Sequence, residues 1–76
     1  FTADQVVIAA GSRVVVPDAV TECGAPYHTS DTIMRITDLP EHLIIVGGGY
    51  VACEFAHIFS SLGSRITLLI RGSSLL

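Results

Sequence analysis

The glycine-rich segment Gly47-Gly48-Gly49-Tyr50-Val51-Ala52 constrains this chain more than any other. It follows the apolar run Leu43-Ile44-Ile45-Val46 and opens a stretch of helical spacing. That stretch closes at Gly63, before a second apolar run from Ile66 to Ile70. Strand, glycines, helix, closing glycine and second strand in this order predict a βαβ unit of the Rossmann type. A strand that delivers Gly-x-Gly-x-x-Ala to a helix N-terminus turns tightly at Gly47 and leaves no side chain at Gly49. The pyrophosphate of a dinucleotide can then approach the backbone and sit on the helix dipole. The alternative is a glycine-rich turn that binds nothing.

The end of the second strand bears on which dinucleotide is expected. In the NAD version of the motif an acidic residue about twenty positions on accepts hydrogen bonds from the ribose 2′-hydroxyl and would repel a 2′-phosphate. Here the run ends Leu68-Leu69-Ile70-Arg71. Ile70 offers no acceptor, and Arg71 offers a planar, permanently charged fork suited to phosphate. NADPH is therefore favoured over NADH. The plainer alternative for Arg71 is a solvated arginine at a strand end, which is how Arg65, before the strand, reads.

Size limits what these elements can do alone. The chain has 76 residues, half of them apolar and only 14% charged. So small a body buries a modest share of its surface and is marginally stable. One βαβ unit leaves faces of two apolar parallel strands uncovered, although such strands normally lie inside a sheet with helices on both sides. The chain is therefore expected to be an excerpt of a larger protein. No apolar run is of transmembrane length and no signal sequence is recognisable, so no membrane partner is expected. A net charge of −3, with four arginines and no lysine, argues against a nucleic-acid partner. Cys23 and Cys53 show neither Cys-x-x-Cys nor Cys/His metal spacing, and both are expected to be free thiols in a cytoplasmic protein.

The chain divides into three segments. Gln5-Val6-Val7-Ile8-Ala9-Ala10-Gly11 is an apolar run too short for a helix and stopped by glycine, which predicts a buried strand. Residues 12–42 form a connector in which Pro17 and Gly24-Ala25-Pro26 mark turns. Ser30 is expected to cap a short helix over Asp31 to Ile36 that ends before Pro40. The third segment, 43–76, is the nucleotide unit. Val51, Phe55, Ile58, Phe59 and Leu62 predict one buried stripe on its helix.

Asp4-Gln5-Val6-Val7-Ile8-Ala9-Ala10-Gly11-Ser12 resembles the internal flavin-domain motif of the pyridine nucleotide-disulfide oxidoreductases, in which an apolar strand runs into Ala-Thr-Gly-Ser. Gly47 to Ala56, with Gly63 and Arg71, resembles the NADPH motif of the same family. The order and separation of the two blocks match, as do Ser30-Asp31 and Leu39-Pro40 between them, so the resemblance covers essentially the whole chain. Two positions depart from the pattern. Ala10 stands where threonine is frequent, and Val14 stands where proline commonly follows Gly-Ser-Arg, leaving that turn less fixed.

The resemblance implies a fold, cofactors and roles. The chain would be an α/β, Rossmann-type βαβ fragment of a two-domain flavoprotein. Residues 1–11 would be the last strand of an FAD-binding domain, 12–42 a connector, and 43–76 the first βαβ of an NADPH-binding domain. Electrons would pass from NADPH to FAD, then to a redox-active cysteine pair and on to a low-molecular-weight disulfide. Ala10 and Gly11 would lie against FAD, and Gly47, Gly49, Ala52 and Arg71 against NADPH. Tyr50 would be the aromatic gate over the nicotinamide pocket, and Glu54 the carboxylate that pairs with a lysine near the flavin. A tyrosine packed at a helix start, and a carboxylate suited to the helix dipole, are the plainer readings of those two. His57 reads as a helix surface residue and Cys53 as a small core residue. The cysteine pair, the flavin-binding glycine motif and the His/Glu acid-base pair of the family are absent from these residues. The isolated chain is therefore expected to be inactive, the intact enzyme a homodimer. A non-catalytic, nucleotide-sensing Rossmann module is the alternative.

Overall fold

A computed structural model describes residues 1–75, and Leu76, the last residue of the expected nucleotide unit, lies outside the described residues. The chain divides into two compact units, Phe1–Ile36 and Thr37–Leu76.

The first unit holds little regular structure. A single helical turn, α1 (Asp18–Thr21), follows Pro17, whose carbonyl accepts hydrogen bonds from the N–H groups of Val20 at 2.9 Å and Thr21 at 3.2 Å. Proline at the N-cap has no N–H to lose, which suits it to start a helix. Pro17 marks a turn in the sequence, and the turn is a helical one. The helix predicted over Asp31 to Ile36 is instead a 3-10 turn, Ile33–Arg35. Ser30 does not cap it. The hydroxyls of its neighbours order the approach: Thr29 Oγ1 accepts from the Asp31 N–H at 3.2 Å, and Thr32 Oγ1 accepts from the Thr29 N–H at 3.0 Å. Threonine hydroxyls that bond nearby backbone compete with a full helix.

The strand predicted over Gln5 to Gly11 is not formed. Residues 6–11 carry no ladder, and Ile8 is 89% exposed. A strand is completed by a neighbour that takes up its N–H and C=O groups. Among the described residues the strands are β1 (His42–Val46) and β2 (Arg65–Leu69), and they pair with each other.

The second unit is the βαβ. β1 runs into the glycine turn, α2 (Tyr50–Ser61) returns the chain, and β2 pairs parallel to β1. The register sets His42 against Arg65, Ile44 against Thr67 and Val46 against Leu69. Side chains alternate across a strand, so Leu43 and Ile45 share a face with Ile66 and Leu68, and these four are half-buried. Helix α2 packs on both strands. Its inward residues are Ala52, Phe55, Ala56 and Phe59, the last only 4% exposed and tilted against Phe55 with ring centroids 6.3 Å apart. The predicted stripe is thus rotated. Phe55 and Phe59 belong to it, whereas Val51, Ile58 and Leu62 are exposed. Small alanines on the packed face let the helix lie close to the sheet, which turns the larger aliphatic residues outward.

Tight local bonds close the helix. Gly63 has φ 108°, a conformation that L side chains rarely adopt, and its N–H donates to Ser60 O at 3.0 Å. Ser64 is buried. Its N–H donates to Phe59 O at 2.9 Å and its hydroxyl to Pro40 O at 2.5 Å, which fastens the helix exit to the entry of β1.

The outer sheet face is polar at one end and apolar at the other. Arg65 donates to His42 Nδ1 at 3.2 Å, so the imidazole hydrogen lies on Nε2, which donates to Thr67 Oγ1 at 2.8 Å. Arg65 is exposed, as the sequence implies, but it is engaged with that ring. Ile44, Val46 and Leu69 beyond it are exposed. No helix among the described residues is long and apolar enough to cross a membrane.

Candidate functional site

The site is built where β1 gives way to α2. Gly47 turns the chain with φ 141°, and its N–H donates to Leu69 O at 2.9 Å, extending the ladder by one bond past the last residue of β1. A Cβ added to Gly47 would lie 3.7 Å from Ala52 Cβ, an ordinary contact. It is the backbone conformation rather than crowding that calls for glycine here, and Ala52 closes against the turn from the first turn of the helix.

Gly49 is the N-cap of α2, at φ −79° and ψ 178°, with no side-chain cap. Nothing lies within 4 Å of the position a Cβ would take. The first bond into the helix is from Cys53 N–H to Gly49 O at 3.1 Å. The N–H groups of Tyr50, Val51 and Ala52 have no acceptor among the described residues, since the first turn of a helix has no intrahelical partner for them. Unpartnered donors, the positive end of a helix dipole and an open glycine approach fit a diphosphate.

Gly48 is where sequence reasoning saw least. A Cβ there would come 2.9 Å from Ile70 Cγ2, 3.5 Å from Ile70 Cβ and 3.9 Å from Leu75 Cδ2. Ile70 therefore lies directly over the turn. The second strand expected from the sequence runs to Ile70, but β2 ends at Leu69. Ile70, beside Gly48, and then Arg71 continue the chain, both exposed. A third glycine at a variable position of the motif was the only signal of this close approach.

The remaining expected residues fall in two places. Tyr50 is the first residue of α2 and is 69% exposed. Glu54 is exposed one turn on, where with Cys53, His57 and Ile58 it lines an open concavity of about 370 Å³. Gly47, Gly49, Tyr50, Ala52, Glu54 and Arg71 all belong to the second unit. Ala10 and Gly11 belong to the first, where both are exposed and Gly11 has φ 71°. Cys23 and Cys53 are free, the former exposed and the latter half-buried.

Parallel strands, crossover helix and a glycine turn at the strands' carboxyl ends define a Rossmann-type unit. Comparison with known proteins gives its family. The whole chain, residues 1–76, matches the pyridine nucleotide-disulphide oxidoreductase family, and the chain belongs to it. Enzymes of this family use FAD and a pyridine nucleotide. The chain is 67% identical over all of its 76 residues to mycothione reductase of Mycobacterium tuberculosis (strain ATCC 25618 / H37Rv), of which it covers 17%. It is 48% identical over 64 residues, 84% of the chain, to mercuric reductase of Streptomyces lividans, covering 14% of that protein. It is 40% identical over its full length to glutathione reductase of Nostoc sp. (strain PCC 7120), covering 16% of it. The chain thus spans about a sixth of the length of these relatives.

Proposed function

We propose that this chain is the NADPH-binding portion of an FAD-dependent disulfide reductase, which passes hydride from NADPH to FAD and on to a low-molecular-weight disulfide such as mycothione. The observation that carries the reading is the open approach at Gly49, beside unpartnered helix amides, with Arg71 just past the adjacent strand end. Gly47, Gly49 and Ala52 shape the pyrophosphate seat. Arg71 takes the 2′-phosphate, where a carboxylate would select NADH instead.

Tyr50 serves as the nicotinamide gate and Glu54 as the flavin-side carboxylate, with Ala10 and Gly11 against FAD. Residues 1–11 complete the FAD-binding domain, 12–42 connect, and 43–76 begin the NADPH-binding domain. In the flavin domain the run from Gln5 to Gly11 has the strand neighbours that its exposed aliphatic side chains lack here. The intact enzyme is cytoplasmic and homodimeric. Mycothione is preferred as substrate class because of the 67% identity to a mycothione reductase. The phrases His28-Thr29-Ser30-Asp31-Thr32 and Glu54 to Phe59 fit that choice.

The test is a steady-state assay of the full-length protein with mycothiol disulfide and glutathione disulfide, each with NADPH and NADH. Turnover with NADPH and mycothiol disulfide is expected to dominate. Equal use of both nucleotides would sink the cofactor assignment, and a preference for glutathione disulfide would sink the substrate.

A further inference from the structure

One line of side chains runs along α2 on the side away from the sheet. The helix packs on the strands through Ala52, Phe55, Ala56 and Phe59. At 3.6 residues per turn, Tyr50, Glu54 and His57 lie within about 60° of one another and opposite those four. All three are exposed. Glu54 and His57 also border the same open concavity, of about 370 Å³, together with Cys53 and Ile58.

Glu54 is the one carboxylate of α2 and His57 its one imidazole, and no lysine or arginine on the helix competes for the carboxylate. The side chains of Glu54 and His57 form no hydrogen bond among the described residues. Residues three apart on a helix have Cβ atoms about 5–6 Å apart, so a change of rotamer brings an imidazole N–H to the carboxylate. The ring has such a donor in either tautomer. A carboxylate has about four acceptor sites, so a partner across this face leaves room for the ring. A glutamate stem is rich in rotamers, and a donor one turn on restricts them before that partner binds.

We infer that His57 is a positioning residue for Glu54, its ring N–H holding the carboxylate on the flavin side of α2. This rests on the reading of Tyr50 as nicotinamide gate and Glu54 as flavin-side carboxylate, on which the line they share with His57 faces the flavin. His57 acts through Glu54 and not on the cofactors directly.

The test uses the full-length flavoprotein and its variants His57→Ala, His57→Gln, Glu54→Ala and His57→Ala/Glu54→Ala. The flavin midpoint potential and the single-turnover rate of flavin reduction by NADPH are measured in each. His57→Ala is expected to shift the potential in the same direction as Glu54→Ala and to slow flavin reduction about three- to tenfold. His57→Gln keeps an N–H donor and should retain most of both properties. In the double variant, loss of His57 should add nothing to the loss of Glu54. Additive effects, or a His57→Ala protein with unaltered potential and rate, would overturn the proposal and leave Glu54 at the flavin without it. If Glu54→Ala itself moves neither quantity, the flavin-side reading fails and His57 has nothing to position.

Discussion

The N–H of Gly47 donates to the carbonyl of Leu69 at 2.9 Å, one step beyond the last paired residues of the two strands. This bond brings the glycine turn level with the end of β2. The segment leaving β2 is therefore placed next to the turn entering α2. On the proposed reading, cofactor choice at Arg71 and cofactor binding at Gly49 are separate properties of adjoining backbone, and each has its own test.

The two fingerprint glycines are expected to fail differently. Gly49 has an ordinary φ of −79° and open space at Cβ, so Gly49→Val should leave folding and the flavin spectrum of the full-length protein intact. It should abolish nucleotide binding because the side chain fills the pyrophosphate approach. Gly47→Ala has room but the wrong backbone, at φ 141°. It should cost roughly 1–3 kcal/mol of stability. Titration with NADPH and urea unfolding separate the two, and retained NADPH affinity in Gly49→Val would count against the whole nucleotide site.

Arg71→Leu tests the charge at the strand end. Loss of a hydrogen-bonded charged partner should weaken NADPH by about 1.5–3 kcal/mol and leave NADH nearly unaffected. The measurement is a pair of binding titrations on the full-length protein. Equal losses would remove Arg71 from the 2′-phosphate.

Ser64 joins the exit of α2 to the approach to β1 at Pro40, and its side chain is buried. Ser64→Ala should cost about 1 kcal/mol locally, since a neutral hydrogen bond has that net worth. Hydrogen exchange is the suitable readout. The Arg65 N–H, bonded to Glu41 O at 2.8 Å, should lose protection while amides of the first unit do not change. Unaltered exchange at Arg65 would show that the backbone bonds hold this corner without the side chain.

Elements defined by local pattern could be read from the sequence. Leu43 to Val46 and Ile66 to Ile70 are largely apolar runs bounded by glycine or polar residues, and each holds a strand, the second ending one residue earlier than read, at Leu69. Gly63 stops the helix through a positive φ, which is why its end was readable. Features set by neighbours were not. The run from Gln5 to Gly11 has strand chemistry but no strand beside it among the described residues. The helix stripe is rotated because Ala52 and Ala56, weakly hydrophobic by composition, permit the closest approach to the sheet. The crowding of Gly48 by Ile70 depends on how the end of β2 lies against the turn, a tertiary contact that no spacing rule encodes.

The isolated 76-residue chain should not behave as a self-sufficient domain. Among the described residues no large side chain is fully buried. Ile44, Val46 and Leu69 leave one sheet face apolar and exposed, and Val51, Ile58 and Leu62 do the same on α2. Each strand of the pair also presents one edge without a partner strand among the described residues, which invites association with other chains. Stability in a body this small comes from apolar area removed from water, and here much of that area is not removed. The excised chain should therefore show weak chemical-shift dispersion or aggregate, bind no FAD, and catalyse no NADPH-dependent disulfide reduction. Without a neighbouring dithiol, hydride accepted by a flavin has no route to a disulfide. A cooperative thermal transition in a monomeric sample would overturn this expectation and make the βαβ unit a binding module in its own right.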